Sequence, residues 1–159
     1  FPYDTAGIRE AFVAMSQALL NAINCPQSRQ QHDLRLFYKA RDDFKRLLVP
    51  DDYKYFAFQC WQEGVARYTE LRVAELASKH CTPGREFLNL SDYKQFDAVA
   101  DSIRSDILGG LRHPALATSK RVAFYAFGAG EAMLLDKLGA DWKREYLQKK
   151  FQPDALFPQ

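Results

Sequence analysis

A chain of 159 residues that is 47% hydrophobic and 14% aromatic can bury a sizeable core within one domain, residues 1–159. Its formal charge is only +2, with acids and bases interspersed, which leaves no basic stripe or arm for nucleic acid. The longest apolar run, Val122 to Leu135, is 14 residues long and contains Glu131, too short and too interrupted to cross a membrane.

Asp4 or Thr5 is placed to cap a first helix running to about Ile23, with Ile8, Phe12, Met15, Leu19 and Leu20 at helical spacing. Cys25-Pro26 breaks it. Ser28 can cap a second helix to about Leu48, whose apolar stripe is Leu34, Phe37, Phe44, Leu47 and Leu48. The rest of that helix is strongly charged and reads as a solvated face. Val49-Pro50-Asp51 is a stop followed by a start: proline suits a first helical turn, and Asp51 and Asp52 favour its positive end.

The third helix, Asp51 to Lys79, has no proline and a single glycine. At 100° per residue its apolar side chains fall on every side, as expected of a buried central helix. Phe56, Ala66, Val73 and Ala77 share one face, and Gln59, Glu63 and Glu70 lie within it. A buried carboxylate is costly unless it is paired, hydrogen-bonded or bound to a metal. Glu63 is therefore the residue to explain.

Cys81-Thr82-Pro83-Gly84 ends the third helix, and Arg85 to Leu90 reads as irregular. Ser91 or Asp92 is placed to cap a fourth helix to about Leu108, closed by Gly109-Gly110. A fifth runs from about Thr118 to Leu138 and ends at Gly139. A short sixth covers Asp141 to Lys149. The tail reads as extended, pinned by Phe151, Leu156 and Phe157. Ala126, Gly128, Ala129, Gly130 and Ala132 make the fifth helix thin, and two interior glycines cost roughly 1 kcal/mol each relative to alanine. Close approach of the third helix at Gly64 and Ala66 would compensate. The expected fold is all-α: five main helices plus a short sixth, packed around the third and fifth.

No secretory leader is legible. Cys25, Cys60 and Cys81 lack metal-like spacing, and as free thiols they favour a reducing compartment such as the cytoplasm. His32, His80 and His113 stand near helix ends or in loops. None forms the Glu-x-x-His pairs of a di-iron bundle, and no Gly-x-Ser-x-Gly elbow or phosphate loop occurs.

The stretch Trp61-Gln62-Glu63-Gly64-Val65-Ala66-Arg67-Tyr68 has the form W-x-E-G-x-A-x-Y and resembles the downstream glutamate helix of gluzincin-type zinc metallopeptidases. The stretch from Arg121 to Leu135, with Trp142 to Tyr146 after it, looks like the C-terminal helices of proteins of this kind. The resemblance covers residues 50 to 157. It implies Glu63 as the third protein ligand of a zinc ion, and Tyr125, or else Tyr68, as an oxyanion donor. The His-Glu-x-x-His that supplies the other two ligands in such enzymes is absent, so zinc is expected only where an upstream segment provides it. Three readings stay open: the C-terminal part of a peptidase whose zinc helix precedes Phe1; a relative that kept the helices and lost the metal; or structural carboxylates paired with Arg67, Arg72, Arg121 or a buried tyrosine. A different class is a helical binding module. Its 22 aromatic residues would line a small-molecule or peptide pocket with Glu63 or Glu131 holding a cationic group, or an apolar face would drive a homodimer.

Overall fold

Every regular element of the described residues, 1–158, is helical in this computed structural model. Six helices of ten or more residues carry the architecture: α1 (Ala6–Asn24), α2 (Gln30–Arg46), α3 (Pro50–Gln59), α4 (Val65–His80), α6 (Phe96–Arg112) and α8 (Ala123–Lys137). Single turns α5 (Arg85–Leu88), α7 (Leu116–Ser119) and α9 (Trp142–Glu145) lie between or after them. No helix among these residues is long and apolar enough to cross a membrane.

The third helix of the sequence reading is continuous but not uniform. Between α3 and α4 the segment Cys60–Gly64 is π-helical, with the Val65 N–H reaching back to the Cys60 carbonyl. The buried positions Phe56, Cys60, Gly64 and Tyr68 are spaced by four each time, the signature of an under-wound turn. A wheel drawn at 100° per residue therefore fails downstream. Val73, placed inward by that wheel, is 60% exposed, whereas Leu71 and Ala74 are buried.

The helix enclosed on all sides is α8. Phe124, Phe127, Leu134 and Leu135 are buried, and its small residues each receive a different neighbour. A Cβ on Gly128 would stand 2.5 Å from the Cys60 carbonyl oxygen, and one on Gly64 would stand 2.5 Å from Gly128 Cα. The expected thin crossing of the third and fifth helices is thus present. A Cβ on Gly110 of α6 would likewise stand 2.6 Å from the Ala126 Cβ. That explains why Gly109-Gly110 does not end the fourth helix, which runs on to Arg112. The same helix starts at Phe96, not at Ser91 or Asp92, which lie in a turn.

The fifth helix is also shorter than expected. Lys120 takes a left-handed φ of 49°, and α8 begins only at Ala123. At its other end Gly139 has φ +70°, the left-handed residue that commonly follows a helix. The sixth helix shrinks to α9, and the tail forms a 3₁₀ turn at Pro153–Leu156 that buries Leu156 and Phe157.

Many of the aromatic residues build the core. Phe124 packs edge-on against Phe12 at 5.7 Å and Phe56 at 5.0 Å between ring centres, and Phe44 meets Phe56 at 5.1 Å. A second correction concerns α2. Its charged side is not wholly solvated, since Asp33 and Arg41 are buried. Arg41 Nη2 pairs with Glu131 Oε1 of α8, their side chains only 6% and 3% exposed. The guanidinium lies between the rings of Phe37 and Phe157, 4.9 Å from each centre. Phe157 thereby fastens the tail over the buried ion pair.

A second polar knot joins α4, α8 and α9. Asp136 accepts from the Tyr68 hydroxyl, from Trp142 Nε1 at 2.9 Å and from Lys143 Nζ at 2.6 Å. Burial by itself would raise the carboxyl pKa, but these three donors outweigh it and hold the group below its ordinary value. A depressed folded-state pKa contributes stability that is complete above the ordinary carboxylate range and lost as pH falls through the folded value. Asp136→Asn should therefore narrow the difference in urea midpoint between pH 7 and pH 3. An unchanged difference would show that the knot does not link folding to protons.

The thiols differ in setting: Cys60 is buried, Cys25 is half-buried and Cys81 is exposed. Burial pushes the Cys60 thiol far above its ordinary range. A thiol reagent is expected to label Cys81 first and Cys60 only on unfolding, with all three free in denatured, unreduced protein. Finding one thiol instead would mean a disulfide.

Candidate functional site

The W-x-E-G-x-A-x-Y stretch straddles the π turn, and the contacts of its members can be taken one at a time. Trp61 stacks on Tyr146 at 4.7 Å, donates from Nε1 to the Tyr146 carbonyl at 3.0 Å, and accepts on its own carbonyl from the Tyr146 hydroxyl at 2.7 Å. Gly64 makes the crossing with Gly128. Tyr68 donates to Asp136 and packs against Trp142, so it serves the polar knot and does not line the cleft that Glu63 lines. Ala66 lies at the surface. Glu63, the one charged residue among these five, has neither a packing partner of this kind nor an ion pair. It is half-buried, less than the sequence reading expects, and it opens into a cleft.

That cleft has a volume of about 410 Å³ and lies between the π turn with α4, α6, and the start of α8. Glu63 and Tyr125 line it together with Arg67, Glu70 and Asp106, above a floor formed by Ile107 and Ala126. The two residues singled out in the sequence as ligand and oxyanion donor are thus brought to one place. Arg67 is taken by its neighbours: Nη1 bonds Glu70 Oε2 at 2.6 Å and Nη2 bonds Asp106 Oδ2 at 3.1 Å. It does not neutralise Glu63. Arg72 pairs with Glu75, which also receives Arg104, so a second cation proposed for Glu63 is engaged elsewhere.

The wide turn explains how an acidic side chain comes to stand here. Under-winding directs Cys60 and Gly64 at α8 and leaves Glu63, one position earlier, on the flank beside Tyr125. Asp106, from the outer side of α6, carries no signal in the sequence, because its role arises only once α6 is laid against α4. Glu131, the alternative acidic residue, is sealed in the core with Arg41 and is out of reach of any ligand.

No group of three or more His, Cys, Asp or Glu side chains placed to hold a metal ion occurs among the described residues. His32 in α2, His80 at the end of α4 and His113 just after α6 are all exposed. Glu63 fits one position of a zinc ligand set, and the remaining ligands would have to be brought to it.

Compared with protein-family models, with curated proteins and with solved structures, the chain shows no match.

Proposed function

We propose that this chain is the helical part of a gluzincin-like zinc metallopeptidase, contributing Glu63 as a ligand and Tyr125 as an oxyanion donor to a site whose histidines come from a segment outside residues 1–159. One observation carries the reading. Of the W-x-E-G-x-A-x-Y stretch, Trp61, Gly64 and Tyr68 each serve packing, while Glu63 faces the cleft beside Tyr125 with no cation of its own. A half-buried carboxylate that lines a cleft without a cation of its own leaves its charge available to a ligand. Zinc bound there would polarise a carbonyl and activate water. Within this chain Glu63 holds a negative charge at the cleft and Tyr125 offers a hydroxyl to an oxyanion. By itself the chain is expected to be inactive.

The test is the natural reading frame upstream of Phe1. The reading expects His-Glu-x-x-His there. It also expects one zinc per protein when that segment and the chain are produced together, and loss of that zinc in Glu63→Ala. A frame without the two histidines would overturn it.

A simpler measurement bears on the role of Glu63 in the chain alone. Glu63→Gln should change the free energy of urea unfolding by no more than about 0.5 kcal/mol, as for a side chain with no structural partner. A loss of about 2 kcal/mol or more would mean that Glu63 is a paired, structural carboxylate.

A second reading has its own support. An apolar groove between α4, α5 and α6 exposes Val73, Phe87 and Leu90, as in a helical module that binds a ligand or a second copy without chemistry.

A further inference from the structure

The groove and the cleft are not separate features. Ala66 and Glu70 line both. On one side stands the polar cleft of Glu63 and Tyr125. On the other an apolar groove of about 860 Å³ is formed by Val73 and Ala77 of α4 against Phe87, Tyr93 and Ile103. Glu63, Ala66, Glu70, Val73 and Ala77 recur at alternating steps of three and four, a single stripe along one side of the helix.

That stripe is about 21 Å long at ~1.5 Å per residue, a length that an extended chain covers with about six residues at ~3.3 Å each. Groove and cleft meet at Ala66 and Glu70, so a compact molecule would occupy one of them and leave the rest of the stripe uncovered. A long, open trough of this kind fits an extended chain better.

The charges along it are unequal. At the polar end Glu70 and Asp106 share the single cation Arg67, which leaves a negative charge even before Glu63 is counted. At the apolar end Asp92 and Lys94 balance one another.

We infer that the trough binds an extended peptide segment, with bulky apolar side chains seated against Val73 and Phe87 and a basic side chain beside Glu70 and Asp106. The inference rests on the reading of the Glu63–Tyr125 cleft as a peptide-processing site, and it names that site's preference. Apolar burial in the groove supplies affinity, and the acidic end selects the basic residue and excludes acidic ones.

The probes are two acetylated, amidated hexapeptides, Leu-Phe-Ser-Gly-Lys-Ser and the same residues in reverse order, titrated into the chain by calorimetry. One order is expected to bind. Replacing Leu-Phe with Ser-Ser, or Lys with Glu, should weaken it by roughly tenfold or more. Val73→Asp, at a position already exposed, should do the same while circular dichroism stays unchanged, and Glu70→Lys should remove the preference for the basic peptide. Equal binding of the Ser-Ser peptide, or no binding of either order, overturns the inference. So does self-association by size exclusion that Val73→Asp abolishes, because a second copy would then occupy the groove. The two readings fail separately. A peptide-binding chain whose upstream frame lacks the histidines ends the metallopeptidase reading alone, and a zinc-loaded longer protein indifferent to the apolar–basic peptide ends this one alone.

Discussion

Replacing Glu131 with alanine is expected to cost about 3–5 kcal/mol of folding free energy. Its carboxylate is sealed between α8 and α2 with Arg41 as its ion-pair partner. Alanine would leave a guanidinium buried without a counter-charge and open a void in the core. For a chain of this length each kcal/mol corresponds to roughly 2–4 °C, so thermal unfolding should fall by about 6–20 °C. The cost comes from stranding Arg41 and not from the net value of the pair. Replacing both partners, Arg41→Met with Glu131→Leu, should therefore return most of the loss, because two desolvated charges are exchanged for apolar side chains of similar bulk. Recovery will be incomplete in one respect: the double variant gives up the stacking of Arg41 between Phe37 and Phe157, which closes the tail over the core. If Glu131→Ala and the double variant lose equally, the destabilisation is a packing effect and the ion pair is incidental. Chemical denaturation of wild type, both single variants and the double variant, at one pH and salt concentration, decides between these outcomes.

The same pair shows where sequence reasoning stops. The all-α class is legible, because apolar residues repeat at helical spacing and prolines and glycines punctuate the chain, as at Cys25-Pro26 and Val49-Pro50. The pairing of Arg41 with Glu131 is not. Arg41 sits among Lys39, Asp42, Asp43 and Lys45 and looks like one more solvated charge. Only the docking of α2 on α8 distinguishes it. The π turn is hidden for a related reason. Nothing in Cys60 to Gly64 forbids an ordinary α-helix, and the widening accompanies the backbone contact with Gly128, a tertiary event. A wheel that misses the turn is out of phase after it, and Val73, read as part of a helix buried on every side, is 60% exposed. Glu63 and Tyr125 were visible as individual candidates, and their meeting in one cleft depends on the α4–α8 crossing that the glycines do signal. The closing partners of the cleft, Arg67 with Asp106, bridge α4 and α6 and have no counterpart in the spacing of either helix alone.

Gly128→Ala is expected to destabilise the fold by about 3 kcal/mol, although alanine is by itself the better helix former by roughly 1 kcal/mol. The added Cβ would stand 2.5 Å from the Cys60 carbonyl oxygen and 2.8 Å from Cys60 Cα, distances that real side chains do not tolerate. Both obstacles are backbone atoms, so no rotamer change relieves them and the two helices must separate. Separation loosens the close-packed seam and costs more than the ordinary 1–3 kcal/mol of overpacking less the propensity gain. The consequence for the site is direct. Tyr125 stands one turn before Gly128 on α8, and Glu63 adjoins Gly64 on the facing turn. Prying the helices apart therefore widens the cleft between ligand and oxyanion donor. Gly64→Ala, whose Cβ would meet Gly128 Cα at 2.5 Å, should give a loss of similar size. Gly109→Ala supplies the control. It is also a glycine within a helix, but its Cβ would meet nothing within 4 Å, so the propensity gain of about 0.5–1 kcal/mol should appear as added stability. Opposite signs at Gly128 and Gly109 in parallel urea titrations would establish that the first is required for helix approach and the second is not. If Gly128→Ala proves as stable as wild type, α3–α4 and α8 do not cross at this distance, and the shared cleft of Glu63 and Tyr125 loses its foundation.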